Sequence, residues 1–186
     1  MSQDNIDITD ILTASYQPQR EAEQTLAKQG FKYDPELSSM ESKVFYNPET
    51  NKPYIAYRGS TRVSDFLYED PALFLGYTTK KQKAAQELAK KVEAKYGQPV
   101  DVYGDSLGGY RAEKSGASGK ITTYNKATGL FDIGKTTSQK QTDYRKEGDI
   151  VSLISLTQKG GKRITEKPKI KSANIVTQLF QSHKFV

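Results

Sequence analysis

The chain of 186 residues contains no cysteine, no tryptophan and a single histidine. Without cysteine there are neither disulfides nor thiolate metal ligands, a composition that fits a reducing compartment. One histidine argues against a structural zinc site, which draws on several His and Cys ligands. No apolar run approaches the 18 or so residues that a membrane-crossing helix needs. The first ten residues hold Asp4, Asp7 and Asp10 and no apolar stretch, so they read as neither a secretory signal nor an anchor. A soluble, intracellular protein with no cofactor and no bound metal is expected.

What is present suits one domain with a single core. Hydrophobic residues make up 35% and charged residues 27%, and the apolar residues recur in short bursts along the whole length. The net charge of +6 is unevenly placed. Residues 1–79 carry 7 Lys/Arg against 12 Asp/Glu, whereas residues 80–186 carry 21 against 10. The densest basic stretch holds Lys159, Lys162, Arg163, Lys167, Lys169 and Lys171, broken only by Glu166. Such a run is a solvated loop or a transient contact with an anionic surface, and the lack of interleaved aromatics argues against base stacking.

Local patterns predict alternating elements. Residues 20–30 have helical composition, with Ala22, Leu26 and Ala27 as a narrow apolar face and Gly30 as a C-terminal cap. Two β-rich runs, residues 43–46 and 54–57, flank a turn-rich segment and read as a hairpin. Over residues 79–96, Ala84, Ala85, Leu88, Ala89, Val92 and Tyr96 recur at three- and four-residue spacings, which predicts a helix ending at Gly97. A strand at 100–103, a helix to about Lys114 and strands at 121–124 and 142–146 follow, with residues 125–141 as a loop or shortened crossover. Residues 150–154 read as a strand or part of a buried helix, and residues 172–180 as a last helix. The order is that of an α/β protein with a mostly parallel sheet. Residues 1–42 are expected to form a helical segment packed on a core of residues 43–186, in one domain.

The chemistry centres on Gly104-Asp105-Ser106-Leu107-Gly108, a G-x-S-x-G run entered from a strand and followed by Gly109. Such a run is a sharp strand-to-helix turn that holds a serine hydroxyl at its tip, with glycines where neighbouring backbone leaves no room for a side chain. The bland alternative is an ordinary turn with a surface serine. A serine hydroxyl needs a base, and His183 is the sole histidine. The base in turn needs a carboxylate. Glu113, Asp132, Asp143, Glu147, Asp149 and Glu166 lie between Ser106 and His183, and Asp149 is best placed, in a turn leaving a strand. Backbone N–H groups of Leu107 and of Ser60, in Tyr57-Arg58-Gly59-Ser60, are candidates for stabilising an oxyanion.

The combination resembles the class 3, fungal-type lipase family of the α/β-hydrolase superfamily. Three blocks carry the resemblance: Tyr54-Ile55-Ala56-Tyr57-Arg58-Gly59-Ser60 with Asp65-Phe66-Leu67 downstream, Val102 through Gly109, and Gly148-Asp149-Ile150-Val151. It implies a trimmed, single-domain α/β-hydrolase fold with flanking helices. Ser106 would be the nucleophile, Asp149 the acid and His183 the base, with Ser60 and Leu107 as the oxyanion hole. It also implies an acyl ester or lipid substrate. Two departures stand out: Asp105 replaces the family's usual histidine, and the spacings from serine to acid to histidine are short. Phe66, Leu67, Phe74 and Leu75 read as core or as a small lid. Compact, cysteine-free lipase-like proteins also occur among large DNA viruses and their satellites. The alternative function is therefore an inactive lipase-like fold with a structural or binding role, a virion component included.

Overall fold

The structure is a computed structural model that describes residues 6–59, 80–147, 152 and 154–166. Its framework is one seven-stranded sheet whose spatial order matches chain order. The strands are β1 (Lys32–Tyr33), β2 (Ser42–Tyr46), β3 (Pro53–Tyr57), β4 (Asp101–Asp105), β5 (Ile121–Tyr124), β6 (Gln141–Lys146) and β7 (Lys162–Glu166). β1, β2 and β3 pair antiparallel, and every pairing from β3 to β7 is parallel. The hairpin is the expected one, with Val44 opposite Ile55 and Phe45 opposite Tyr54.

Strand alternation sorts the core into two layers. Phe45, Tyr54, Ala56 and Tyr103 face α1 (Ile8–Tyr16) and α2 (Gln19–Ala27), burying Ile11, Ala14, Ala22 and Leu26 against them. Val44, Ile55, Tyr57 and Val102 face the other way. They are covered by α3 (Lys80–Tyr96), through Ala85, Ala89, Val92 and Tyr96, and by Ala112 of α4 (Ser106–Lys114). Parallel strands added successively in one direction, through crossovers of one hand, place α3 and α4 on the same face. Each fully buried Val, Ile or Leu in these layers contributes about 1.5–3 kcal/mol. The Tyr57 hydroxyl adds a tie by donating to the Ala85 carbonyl at 3.0 Å.

Helix α1 lies within the helical segment expected over residues 1–42, but the sequence reading set no bounds of its own for it, although its signals are local. Asp7 caps it by accepting the Asp10 N–H at 3.0 Å, an arrangement that typically contributes about 1 kcal/mol. Ile8, Ile11, Leu12 and Ser15 then share one face. Residues 162–166 of the basic stretch are a correction to the expected loop: they form β7, paired with β6 along its length. All of β7 except Ile164 is exposed, and Lys162, Arg163 and Glu166 supply the charges that keep an outer strand from recruiting another.

Among the described residues, the connection between β5 and β6 holds one 3-10 turn, Leu130–Asp132, and that between β6 and β7 holds another, Ile154–Thr157. The α4-side face of these strands presents Thr123, Gln141, Asp143 and Arg145, all buried. Lys126 fills the space in front of them. Its side chain is 1% exposed, and its Nζ ion-pairs with Glu113 of α4 and, at 3.3 Å, with Asp143 of β6. The Gln158 side-chain carbonyl accepts from the same ammonium at 2.8 Å. Among the described residues, these side chains close the face where no α-helix follows α4 to cover β6 and β7.

Candidate active site

The parallel pairing of β3 with β4 puts Tyr57 opposite Gly104, so the segments leaving the two strands emerge side by side at one sheet edge. Ligand sites in open α/β sheets gather at such carboxyl ends. The segment leaving β4 is the elbow. Ser106 takes a left-handed backbone with φ of +47°, a conformation that costs a non-glycine residue on the order of 1–3 kcal/mol and persists only where its surroundings enforce it. Those surroundings are visible. A Cβ on Gly104 would lie 2.3 Å from the Gly108 carbonyl oxygen, and a Cβ on Gly108 would lie 2.2 Å from that of Tyr57. Only glycine lets α4 approach β3 and β4 so closely.

The elbow is anchored from the next strand as well. Past β5 the chain turns at Asn125, also left-handed at φ +45°, and the Ala127 N–H donates to the Ser106 carbonyl at 3.0 Å. Ser106 itself is half-buried at the start of α4, and Leu107 follows as its second residue with a buried side chain. Backbone N–H groups in a helix's first turn have no intrahelical partner and favour negative charge nearby, so this turn can stabilise an oxyanion.

The segment leaving β3 is held on three sides. The Arg58 N–H donates to the Glu41 carbonyl at 3.0 Å, and the Arg58 carbonyl accepts from the buried Arg111 of α4 at 3.3 Å. The Gly59 N–H donates to the Tyr16 hydroxyl at 3.1 Å. Tyr16 closes α1, and its hydroxyl donates to Asp105 Oδ2 at 2.6 Å. The residue that departs from the resembled family's pattern thus points away from solvent into a contact with the N-terminal helix. Burial pushes the Asp105 carboxyl up to about 6, outweighing the Tyr16 hydrogen bond, the nearby backbone N–H groups of Asp105 and Gly59 and the Arg58 charge, all of which favour ionisation. Burial and the neighbouring carboxylate push the Tyr16 hydroxyl up as well.

Of the residues singled out from the sequence, Ser106 and Leu107 stand at this edge. Ser60, Asp149 and His183 lie outside the described residues, as do the apolar residues 66, 67, 74 and 75. Three of the alternative carboxylates are engaged elsewhere. Glu113 and Asp143 share Lys126, and Asp132 pairs with Lys114 at 3.0 Å and Lys135 at 3.3 Å. The Lys126 and Lys114 ammonium groups hold the Glu113 carboxyl down at about 2 despite its burial. Glu147 is exposed, and Glu166 accepts from the Tyr124 hydroxyl at 3.4 Å.

Comparison with solved structures places this architecture. The Lip2 lipase from Yarrowia lipolytica is similar over 84% of this chain and 77% of its own, with a TM-score of 0.53 and 13% identity. The fold is a lipase-like α/β-hydrolase fold. A fungal lipase in complex with an inhibitor aligns over 78% of this chain and 71% of its own, with 16% identity and a TM-score of 0.47. No family model matches the sequence, and no curated protein does. Among the described residues, no helix of this lipase-like fold is long and apolar enough to cross a membrane.

Tyr16 is the site residue that sequence reasoning missed. Its partner is 89 residues away, and a tyrosine closing a short helix carries no local mark of that contact. Asp105, by contrast, was legible as a departure, though not its direction.

Proposed function

We propose that the protein is a serine ester hydrolase acting on acyl esters, lipids among them, through an acyl-enzyme on Ser106. The observation that carries the reading is the left-handed Ser106 on a turn that two glycines permit, beside a helix N-terminus and at the carboxyl edge of a lipase-like sheet. The hydroxyl attacks the ester carbonyl carbon, and its proton passes to His183, oriented by Asp149. The N–H groups of Leu107 and Ser60 receive the oxyanion. Collapse expels the alcohol with that proton, and water then releases the acid by the same steps. For Ser60, Asp149 and His183 the support is chain order and the resemblance of their sequence blocks.

Labelling by a fluorophosphonate and turnover of p-nitrophenyl esters test this. Both are expected in the wild type and absent in Ser106→Ala. A folded wild type that does neither would falsify the proposal and favour the second reading, a lipase-like fold kept for binding. The buried carboxylate of Asp105, directly before the serine, is the observation that gives this second reading weight.

A further inference from the structure

Asp105 and Tyr16 are half-buried polar residues that the proposed mechanism does not use. They lie between the two segments it requires to be in register. Three observations define the arrangement. The hydrogen bonds run in one direction, from the Gly59 N–H to the Tyr16 oxygen at 3.1 Å, and from the Tyr16 O–H to Asp105 Oδ2 at 2.6 Å. The other carboxyl oxygen, Oδ1, is buried without a hydrogen-bond partner. The gap itself is filled, because a Cβ on Gly59 would meet the Tyr16 hydroxyl at 2.6 Å and the Asp105 carbonyl oxygen at 2.8 Å.

A buried carboxyl with one oxygen unsatisfied costs stability, so packing alone does not favour aspartate here. Its effect is on geometry. The carboxylate accepts the Tyr16 proton, which leaves the phenol oxygen as an acceptor for Gly59. We propose that Asp105 and Tyr16 are positioning residues, a two-link strut that sets the distance between the segment leaving β3, which runs on in sequence to the oxyanion donor of the proposed function, Ser60, and the elbow that carries Ser106. The catalytic half of this inference rests on the proposed function; the strut does not.

The direction of the links depends on the charge of Asp105. Ionised, the carboxylate can only accept, and Tyr16 must donate to it. Protonated, it can donate to the phenol oxygen and compete with Gly59 for that acceptor. The charged groups facing this carboxyl from the packed elements are the Arg58 guanidinium, itself 5.5 Å from the Tyr16 ring centroid, and the Tyr16 hydroxyl of α1. Since Asp105 ionises near pH 6, the Gly59 amide should sense that change.

The test is the ¹⁵N–¹H resonance of Gly59 in the full-length protein, followed from pH 4.5 to 8 in wild type, Asp105→Asn and Tyr16→Phe. A wild-type midpoint near 6, abolished in both variants while the rest of the spectrum stays folded, is the expected result. An unchanged Gly59 titration in either variant overturns the strut. Ester turnover is measured alongside. Both variants should lower kcat by about 10- to 100-fold with KM changed less than about twofold, because misplacement of a donor acts on the transition state. Variants that lose the Gly59 titration yet keep wild-type kcat overturn the positioning role. If the wild type never reacts with a fluorophosphonate, the proposed function fails, and the Gly59 titration still decides whether the strut exists. Histidine ionisation gives any such hydrolase an acidic limb near the same pH, so the amide resonance, and not the rate profile, carries the decision.

Discussion

The two halves of the sheet face that carries α3 and α4 are closed by opposite means. Beneath α3, Val44, Ile55 and Val102 meet Ala85, Ala89 and Val92, and fit is what matters. From β5 onward the same face presents Thr123, Gln141 and Asp143, and pairing is what matters. Thr123 donates to Asp143 at 2.6 Å, Gln141 donates to the same carboxylate at 2.7 Å, and Lys126 neutralises it together with Glu113. The difference follows from crossover length. A helix of two turns or more brings an apolar stripe to cover a strand, whereas a single 3-10 turn cannot, so the strand's own polar side chains and one long lysine fill the space. An apolar interior tolerates small errors of volume. A buried ionic one depends on every member, because removing one leaves a desolvated charge.

The sharpest way to break this comparison is a single truncation in each half. Lys126→Met should destabilise the protein by about 3–5 kcal/mol, since Glu113 and Asp143 lose their shared cation. Ile55→Val should cost only about 1 kcal/mol. Urea denaturation of both measures the difference, and a Lys126→Met cost no larger than that of Ile55→Val would show the network to be expendable.

A smaller effect separates the same regions by pH. Glu113 has its carboxyl lowered to about 2, so its contribution is complete above its unfolded value near 4.5 and is lost as pH falls toward 2. That contribution is on the order of 3 kcal/mol. Asp105 has the opposite sign. Raised to about 6, it favours the fold fully below its unfolded value near 3.8, and that advantage is lost as pH rises through 6. Glu113→Gln should therefore flatten the acid side of a melting-temperature profile, and Asp105→Asn should raise the melting temperature at pH 8 relative to wild type but not at pH 3.5. A profile unchanged by either substitution would remove the electrostatic distinction.

The least effect is expected at the outer edge of the polar half. If exposed Lys159 and Lys162 contact anionic surfaces, the double change Lys159→Gln, Lys162→Gln should lower the salt needed for elution from heparin without changing stability by more than about 0.5 kcal/mol. Retention indifferent to salt in the wild type ends that reading.

How much was legible in the sequence tracks this division. The hairpin, α3, β4 and the elbow obey the period-two and three-to-four-residue rules that burial of one apolar face imposes, and the glycines of the elbow mark a close approach that no other residue permits. β7 escaped because an outer strand exposed on both faces needs no apolar alternation. Lys-Arg-Ile-Thr-Glu consequently reads as a charged loop until β6 is seen beside it. The interior role of Lys126 was illegible for a related reason: its partners come from a helix, a strand and a loop. Tyr16 shares that difficulty, being defined by a contact formed only after folding. The elbow's chemistry leaves a local signature, and its alignment does not.

The agreement between strand order and chain order governs how the molecule can be assembled. Each strand pairs with the one made just before it, so the sheet can lengthen at one edge as synthesis proceeds, without prising apart strands already joined. The contact between Tyr16 and Asp105 breaks this pattern. It joins a residue of the first helix to one made 89 positions later, after three more strands have been added. That helix can settle on β2 and β3 first, but its polar tie to the sheet is complete only once β4 lies beside β3.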